Sequence, residues 1–264
     1  MIYFTSDLHI GHANIIHLAS RPFKDIIHSN ETIISNYRAV VNDSDTVYFV
    51  GDIAWQYQDL PGILSRLPGN KILIAGNHDK CAKELWAHSP DKYVDFYLRA
   101  GFGAVLTHAM LTIANHQVML SHFPYRNDDP EPTYDDRYRV MRLVNAGRWL
   151  IHGHIHNKGL IKDRMINVSV EMWNYKPVSA RCIEEIINSQ GVILAYPGWC
   201  ELNEAMLAGE YPPKHDNEND FHSQFDDTST ISLQNVTLNC NNSLENVTFR
   251  HNPLQSGERE GEPD

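Results

Sequence analysis

Eight residues of the 264 can do chemistry as a set: Asp7 and His9, Asp52, Asn77 and His78, His122, and His154 and His156. Each stands where an apolar run gives out, as Ile2-Tyr-Phe-Thr5 does before Asp7 and Val47-Tyr-Phe-Val50 before Gly51-Asp52. Carboxylate oxygen, imidazole nitrogen and amide oxygen together suit divalent Mn, Fe, Zn, Co or Ni, and the absence of cysteine from the set argues against a structural zinc knot. So many ligands exceed what one tetrahedral ion uses, and two ions sharing a carboxylate are the economical arrangement. Taken singly the signals are weak. An isolated Asp-x-His is more often a turn carboxylate beside a surface imidazole, and Asp79 reads as the cap of a helix starting at Lys80.

The elements that must position these groups alternate. Strands are expected at 2–5, 45–50, 71–75, 104–108, 110–114, 117–122, 149–152 and 165–170, with a turn at Asn115-His116. Helices are expected at 14–18, at 30–41 with Asn30 as cap, at 58–67, 80–86, about 136–145, and 180–188 with Ser179 as cap. Alternating strand and helix argues for parallel pairing with the working residues at strand carboxyl ends. Asp7 and His9 lie two apart, so extended backbone would point both side chains the same way. Gly51 would permit a close backbone approach, and Gly153 would let the chain turn between His152 and His154.

With 42% hydrophobic residues the chain can bury one sizeable core. Its net charge of −11 is unevenly spread: residues 1–200 hold 19 basic and 20 acidic side chains, and residues 201–264 hold 3 and 13. The expected division is a domain over 1–195 and an acidic, low-complexity tail over 196–264, partly disordered or carrying a small strand pair at 235–240 and 246–251. Metal bound to carboxylates of the near-neutral core would leave its working face positive, which suits an anionic substrate. No apolar run approaches the roughly 18 residues of a membrane helix. The N-terminus meets Asp7 before a signal-type apolar region could form, and four scattered cysteines fit a reduced compartment, so a cytoplasmic protein without membrane association is expected.

In order, Asp7-x-His9, Gly51-Asp52, Gly76-Asn77-His78-Asp79, His122 and Gly153-His154-x-His156 resemble the five motifs of the calcineurin-like metallophosphoesterase superfamily, over residues 2 to about 185. The segments 5–16, Arg21-Pro-Phe23 and Met172-Trp-Asn-Tyr-Lys-Pro177 are similar to a group of short bacterial and phage phosphoesterases. The resemblance implies an α/β (α+β) fold, a four-layer αββα sandwich of two mixed sheets flanked by helices. It implies two divalent ions, Mn foremost among Mn, Fe, Zn, Ni and Co. Asp7, His9 and His156 would hold the first, Asn77, His122 and His154 the second, and Asp52 would bridge them. His78 would be the catalytic, non-ligand histidine. The implied reaction is attack on phosphorus in line by a hydroxide shared between the ions.

Ala75, Asp79 and Ile53-Ala-Trp55 stand where phosphoprotein phosphatases carry other residues, which points away from protein substrates. The expected partner is a small phosphodiester or nucleotide-type substrate. A nuclease of the same fold, or a catalytically silent metal-binding scaffold, are the alternatives, nucleic acid being less favoured because an acidic tail makes a poor cap for it. His12 and Arg126 are candidate substrate groups, although a structural imidazole and a surface guanidinium are the plainer readings. Trp173 and Tyr175 could stack a base or simply fill the core.

Overall fold

Residues 1–87, 92–126 and 138–191 and the backbone of 237–239 are described by a computed structural model. Five strands form the first sheet, in the order β10-β1-β2-β3-β4: β1 (Ile2–Thr5), β2 (Thr46–Phe49), β3 (Asn70–Ile74), β4 (Ala104–Leu106) and β10 (Val178–Ser179). β1 to β4 are parallel neighbours, and β10 joins β1 antiparallel. The second sheet runs β11-β5-β6-β7-β9-β8, from β5 (His108–Ile113), β6 (His116–Ser121), β7 (Trp149–His152), β8 (Ile161–Lys162), β9 (Met165–Asn167) and β11 (Thr237–Asn239). It is mixed as well: β6, β7 and β9 are parallel, whereas β5 and β8 run against their neighbours β6 and β9. The expected α+β sandwich of two mixed sheets with flanking helices is the observed architecture.

Strand alternation explains the layers. Phe4, Tyr48 and Ile74 of the first sheet face Leu111, Val118, Leu120, Ile151 and Ile166 of the second in one core, which Cys182, Ile183, Ile186 and Ile187 of α6 (Ala180–Asn188) join. The opposite face of the first sheet, with Tyr3, Val47, Phe49 and Leu73, packs on α2 (Ile26–Arg38), α3 (Leu60–Leu64), α4 (Ala82–Trp86) and α5 (Lys92–Ala100). A short α1 (Ile15–Leu18) precedes them. No helix among the described residues is long and apolar enough to cross a membrane.

Several local expectations shift. Helix α2 begins one turn earlier than expected because Asp25, not Asn30, caps it, accepting from His28 N at 2.7 Å. Asn30 lies within the helix and accepts from Gly11 N. The β5–β6 turn falls on Ala114-Asn115, both left-handed, one residue before the expected pair. In place of a helix at 136–145 the described part holds one 3-10 turn, Arg139–Met141. The polar loop from 127, the start of that helix and, apart from Thr237–Asn239, the acidic tail lie outside the described residues. Thr237–Asn239 itself pairs in parallel with Met110–Thr112.

Candidate metal centre

The parallel ladder of β1 and β2 does not stop where the strands do. Asp7 N donates to Gly51 O, His9 N to Asp52 O and Ile10 N to Ile53 O, each at 3.0 Å, and Trp55 N returns to Ile10 O at 2.9 Å. The two loops therefore run side by side and hold Asp7, His9 and Asp52 together. They do so with Asp7, His9 and Asp52 all at positive φ (57°, 49° and 58°), as are His154 (71°) and His156 (50°). The convergence of Asp7 and His9 is thus the work of left-handed turns, not of the extended backbone expected from their spacing. Gly153 is also not the turn: the left-handed residue is His154. A Cβ at Gly153 would lie 1.9 Å from Ser6 Oγ and 2.4 Å from Asp7 Oδ2, so glycine is required for close approach.

All seven expected ligands meet. Donor atoms of Asp7, His9 and His156 lie within 4.8 Å of one another, as do those of Asp7, Asp52 and His122. Asp52 Oδ2 stands 3.7 Å from His9 Nε2 on one side and 3.4 Å from His122 Nε2 on the other. Asn77 Oδ1 lies 3.1 Å from His122 Nε2, and the His154 ring centroid is 5.1 Å from that of His122. His122 Nδ1 donates to Val50 O at 2.8 Å, which fixes its ring and turns Nε2 to the cluster. His78 is exposed, its ring centroid 5.2 Å from that of His9 while its backbone N–H donates to Asp52 Oδ1 at 2.8 Å. His152 is buried at the end of β7, away from a ligand's duty, with burial pushing it down to about 4.

The donor chemistry fits divalent cations. Asp7 Oδ2 is saturated by Ser6 Oγ (2.6 Å), Ser169 Oγ (2.7 Å) and His154 N (3.0 Å), whereas Oδ1 is buried with no hydrogen-bond partner. Both ring nitrogens of His9 are likewise buried and unpartnered. Buried polar atoms left bare cost about 1–3 kcal/mol each, a cost that a coordinated cation removes. Burial drives His9 and His154 well below the ordinary imidazole value, so both are neutral and have a lone pair to offer. Burial also works against the charge of Asp52, but His122 beside it outweighs that and holds the carboxylate well below its usual range. His122 loses from burial and gains more from Asp52, rising to about 9.

No family model matches the chain. It is 32% identical to the uncharacterized protein MJ1445 of Methanocaldococcus jannaschii over 202 residues, 73% of this chain and 94% of that one. With the gene 66 protein of Mycobacterium phage L5 it shares 34% identity over 202 residues, 70% of this chain and 93% of the phage protein. The chain belongs to the family of MJ1445 and the phage gene 66 protein. Among solved structures it resembles the protein of unknown function AQ665 from Aquifex aeolicus, with a TM-score of 0.51 and 29% identity over 70% of this chain and 98% of that one.

In this member of the MJ1445 family, Arg21 of Arg21-Pro-Phe23, Asp79 of the Gly76–Asp79 segment and Glu171 take supporting roles that their sequence context does not announce. Arg21 donates to Leu8 O (2.9 Å), Asp7 O (2.6 Å) and, through Nε and Nη2, to Glu171 Oε1 (3.0 and 2.8 Å). Glu171 Oε1 also receives His156 Nδ1 at 3.0 Å, which leaves His156 Nε2 for a metal. Burial would raise Glu171, yet Arg21 and His156 hold it down at about 2. Asp79 is not the expected helix cap: Oδ2 accepts from Asp52 N (2.9 Å) and Gly76 N (2.8 Å), tying the two ligand turns together. Burial and then the Asp52 charge push it up to about 7.

The expected substrate groups separate. Trp173 and Tyr175 are core residues, 7% and 6% exposed, the indole N–H of Trp173 being donated to Asn167 O. The cluster is complete without Arg126, which is half-buried on the segment after His122 with its backbone N–H donated to Leu143 O. His12 lies at the site, its ring 5.5 Å from that of His9.

Proposed function

We propose that the chain is a two-metal phosphoester hydrolase of the calcineurin-like kind, acting on a small phosphodiester or nucleotide-type substrate. The observation that carries this reading is Asp52 Oδ2, held between the Nε2 atoms of His9 and His122 with the bare Asp7 Oδ1 beside it. Asp7, His9 and His156 would hold one ion and Asn77, His122 and His154 the other, with Asp52 placed to serve both. A pair of such ions supplies Lewis acidity to phosphoryl oxygens and lowers the pKa of water from 15.7 to about 7.

The remaining work falls to the chain. His78 is exposed at the mouth, where a protonated imidazole can neutralise charge on the phosphoryl group or pass a proton to the leaving oxygen. Its backbone N–H on Asp52 Oδ1 sets its distance from the centre. Ser6 and Ser169 occupy Asp7 Oδ2, and Glu171 occupies His156 Nδ1, so each ligand presents one atom.

The test is metal analysis of the purified chain followed by a Mn-supplemented screen of nitrophenyl phosphodiesters, phosphomonoesters, cyclic nucleotides and single-stranded DNA. Turnover of a small diester is expected. Two bound ions with no turnover on any substrate would make the chain a metal-binding scaffold, and preference for DNA would make it a nuclease.

A further inference from the structure

Trp55 is 46% exposed, whereas Trp149 and Trp173 are buried at 4% and 7%. It does not stand alone. The His12 imidazole lies flat against the indole, ring centroids 3.9 Å apart and planes only 11° from parallel. The arrangement follows from the ladder beyond β1 and β2: Ile10 pairs with Ala54, Trp55 N donates to Ile10 O, and His12 N donates back to His9 O at 3.0 Å. Two adjacent loops thereby set one ring upon the other. The pair sits at the mouth of the candidate centre, with the His78 ring 6.0 Å from Trp55 and 6.5 Å from His12, and the His9 ring 5.2 Å from His78.

We infer that Trp55 is a stacking surface for the base of a nucleotide-type phosphoester whose phosphate lies at the metal centre, an inference that rests on the phosphoester-hydrolase reading. An indole is a large, rigid, planar apolar surface on which a second planar ring can stack with a gain in buried area. His12 covers one face and fixes the plane of the ring, so little side-chain freedom is left to lose when a second planar ring is added. Stacking accepts any base, because every base has a π-face, and it leaves the phosphate free to reach the donors beyond His78. The subsite thus gives affinity for the base-bearing half of a substrate without reading which base it is.

The experiment uses the full chain loaded with Mn and compares binding of AMP and ribose 5-phosphate by titration calorimetry, in the wild type, Trp55→Phe and Trp55→Ala. AMP is expected to bind the wild type roughly tenfold more tightly than ribose 5-phosphate. Trp55→Ala should remove that advantage and leave ribose 5-phosphate unchanged, and Trp55→Phe should keep most of it. Equal wild-type affinities overturn the subsite with no variant needed. So does an AMP advantage that survives Trp55→Ala, or a loss shared equally by both ligands. Ribose 5-phosphate binding without an AMP advantage sinks the subsite alone, whereas no binding of either ligand sinks the phosphoester reading and the subsite with it.

Discussion

Arg21 and Glu171, 150 positions apart in sequence, form a buried ion pair with Nη2 and Oε1 at 2.8 Å, and the same oxygen receives Nδ1 of His156. One guanidinium therefore holds the backbone at Asp7 and Leu8 and the carboxylate that orients His156. Glu171→Ala would leave the Arg21 charge buried and unpaired, an expected loss of about 3–5 kcal/mol in denaturant unfolding. Glu171→Gln keeps an acceptor and should lose less, while metal affinity falls about 10- to 100-fold in a calorimetric titration. Unchanged affinity in the glutamine variant would separate the pair from the metal centre.

Metal uptake should release a proton from His122. Its metal-free value is raised to about 9, so at neutral pH the ring is charged, with Nδ1 donating to Val50 O and Nε2 facing Asp52 and Asn77. A cation must displace that Nε2 proton. Affinity is expected to climb with pH up to about 9 and then level off. Calorimetry in two buffers of different ionisation enthalpy counts the protons, and a count of zero at pH 7 would refute the assignment.

His78→Ala should retain both ions, because the backbone N–H on Asp52 Oδ1 survives the substitution. Turnover should drop by about 10²- to 10⁴-fold. Metal analysis and steady-state rates check the two halves separately, and an unchanged rate removes His78 from the chemistry.

Gly153→Ala tests the close approach. The added methyl would meet Ser6 Oγ at 1.9 Å and Asp7 Oδ2 at 2.4 Å, both held by other hydrogen bonds. The expected outcome is displacement of Asp7, weaker metal binding, and a stability loss of about 1–3 kcal/mol, the usual range for overpacking. Thermal melts with and without Mn report both effects.

The seven candidate ligands were legible because each follows a strand and together they resemble an ordered set of motifs, and the structure brings them to one place. Their supporting groups were not. Arg21 and Glu171 meet only through tertiary structure, and nothing in either neighbourhood announces the other. Asp79 looked like a cap because it precedes a helical run, yet Cys81 occupies the cap position and Asp79 turns inward to two ligand-bearing turns. Alternation suggested an extended Asp7-Leu-His9, whereas pairing to Gly51 and Asp52 imposes left-handed turns. The helix Lys92–Ala100 was not among the expected elements; it buries Tyr97, sets Tyr93 and Phe96 against Tyr57, and has Glu84 of α4 at its first turn.

Five of the seven candidate ligands, Asp7, His9, Asp52, His154 and His156, stand on left-handed backbone. A non-glycine residue held there costs on the order of 1–3 kcal/mol. Glycine at Asp7 or Asp52 would relax the backbone but strand the buried donors that those carboxylates accept from, Ser6, Ser169 and His154 N at Asp7 and His78 N at Asp52, so the strain is locked in by the bonds of the very side chains that bear it.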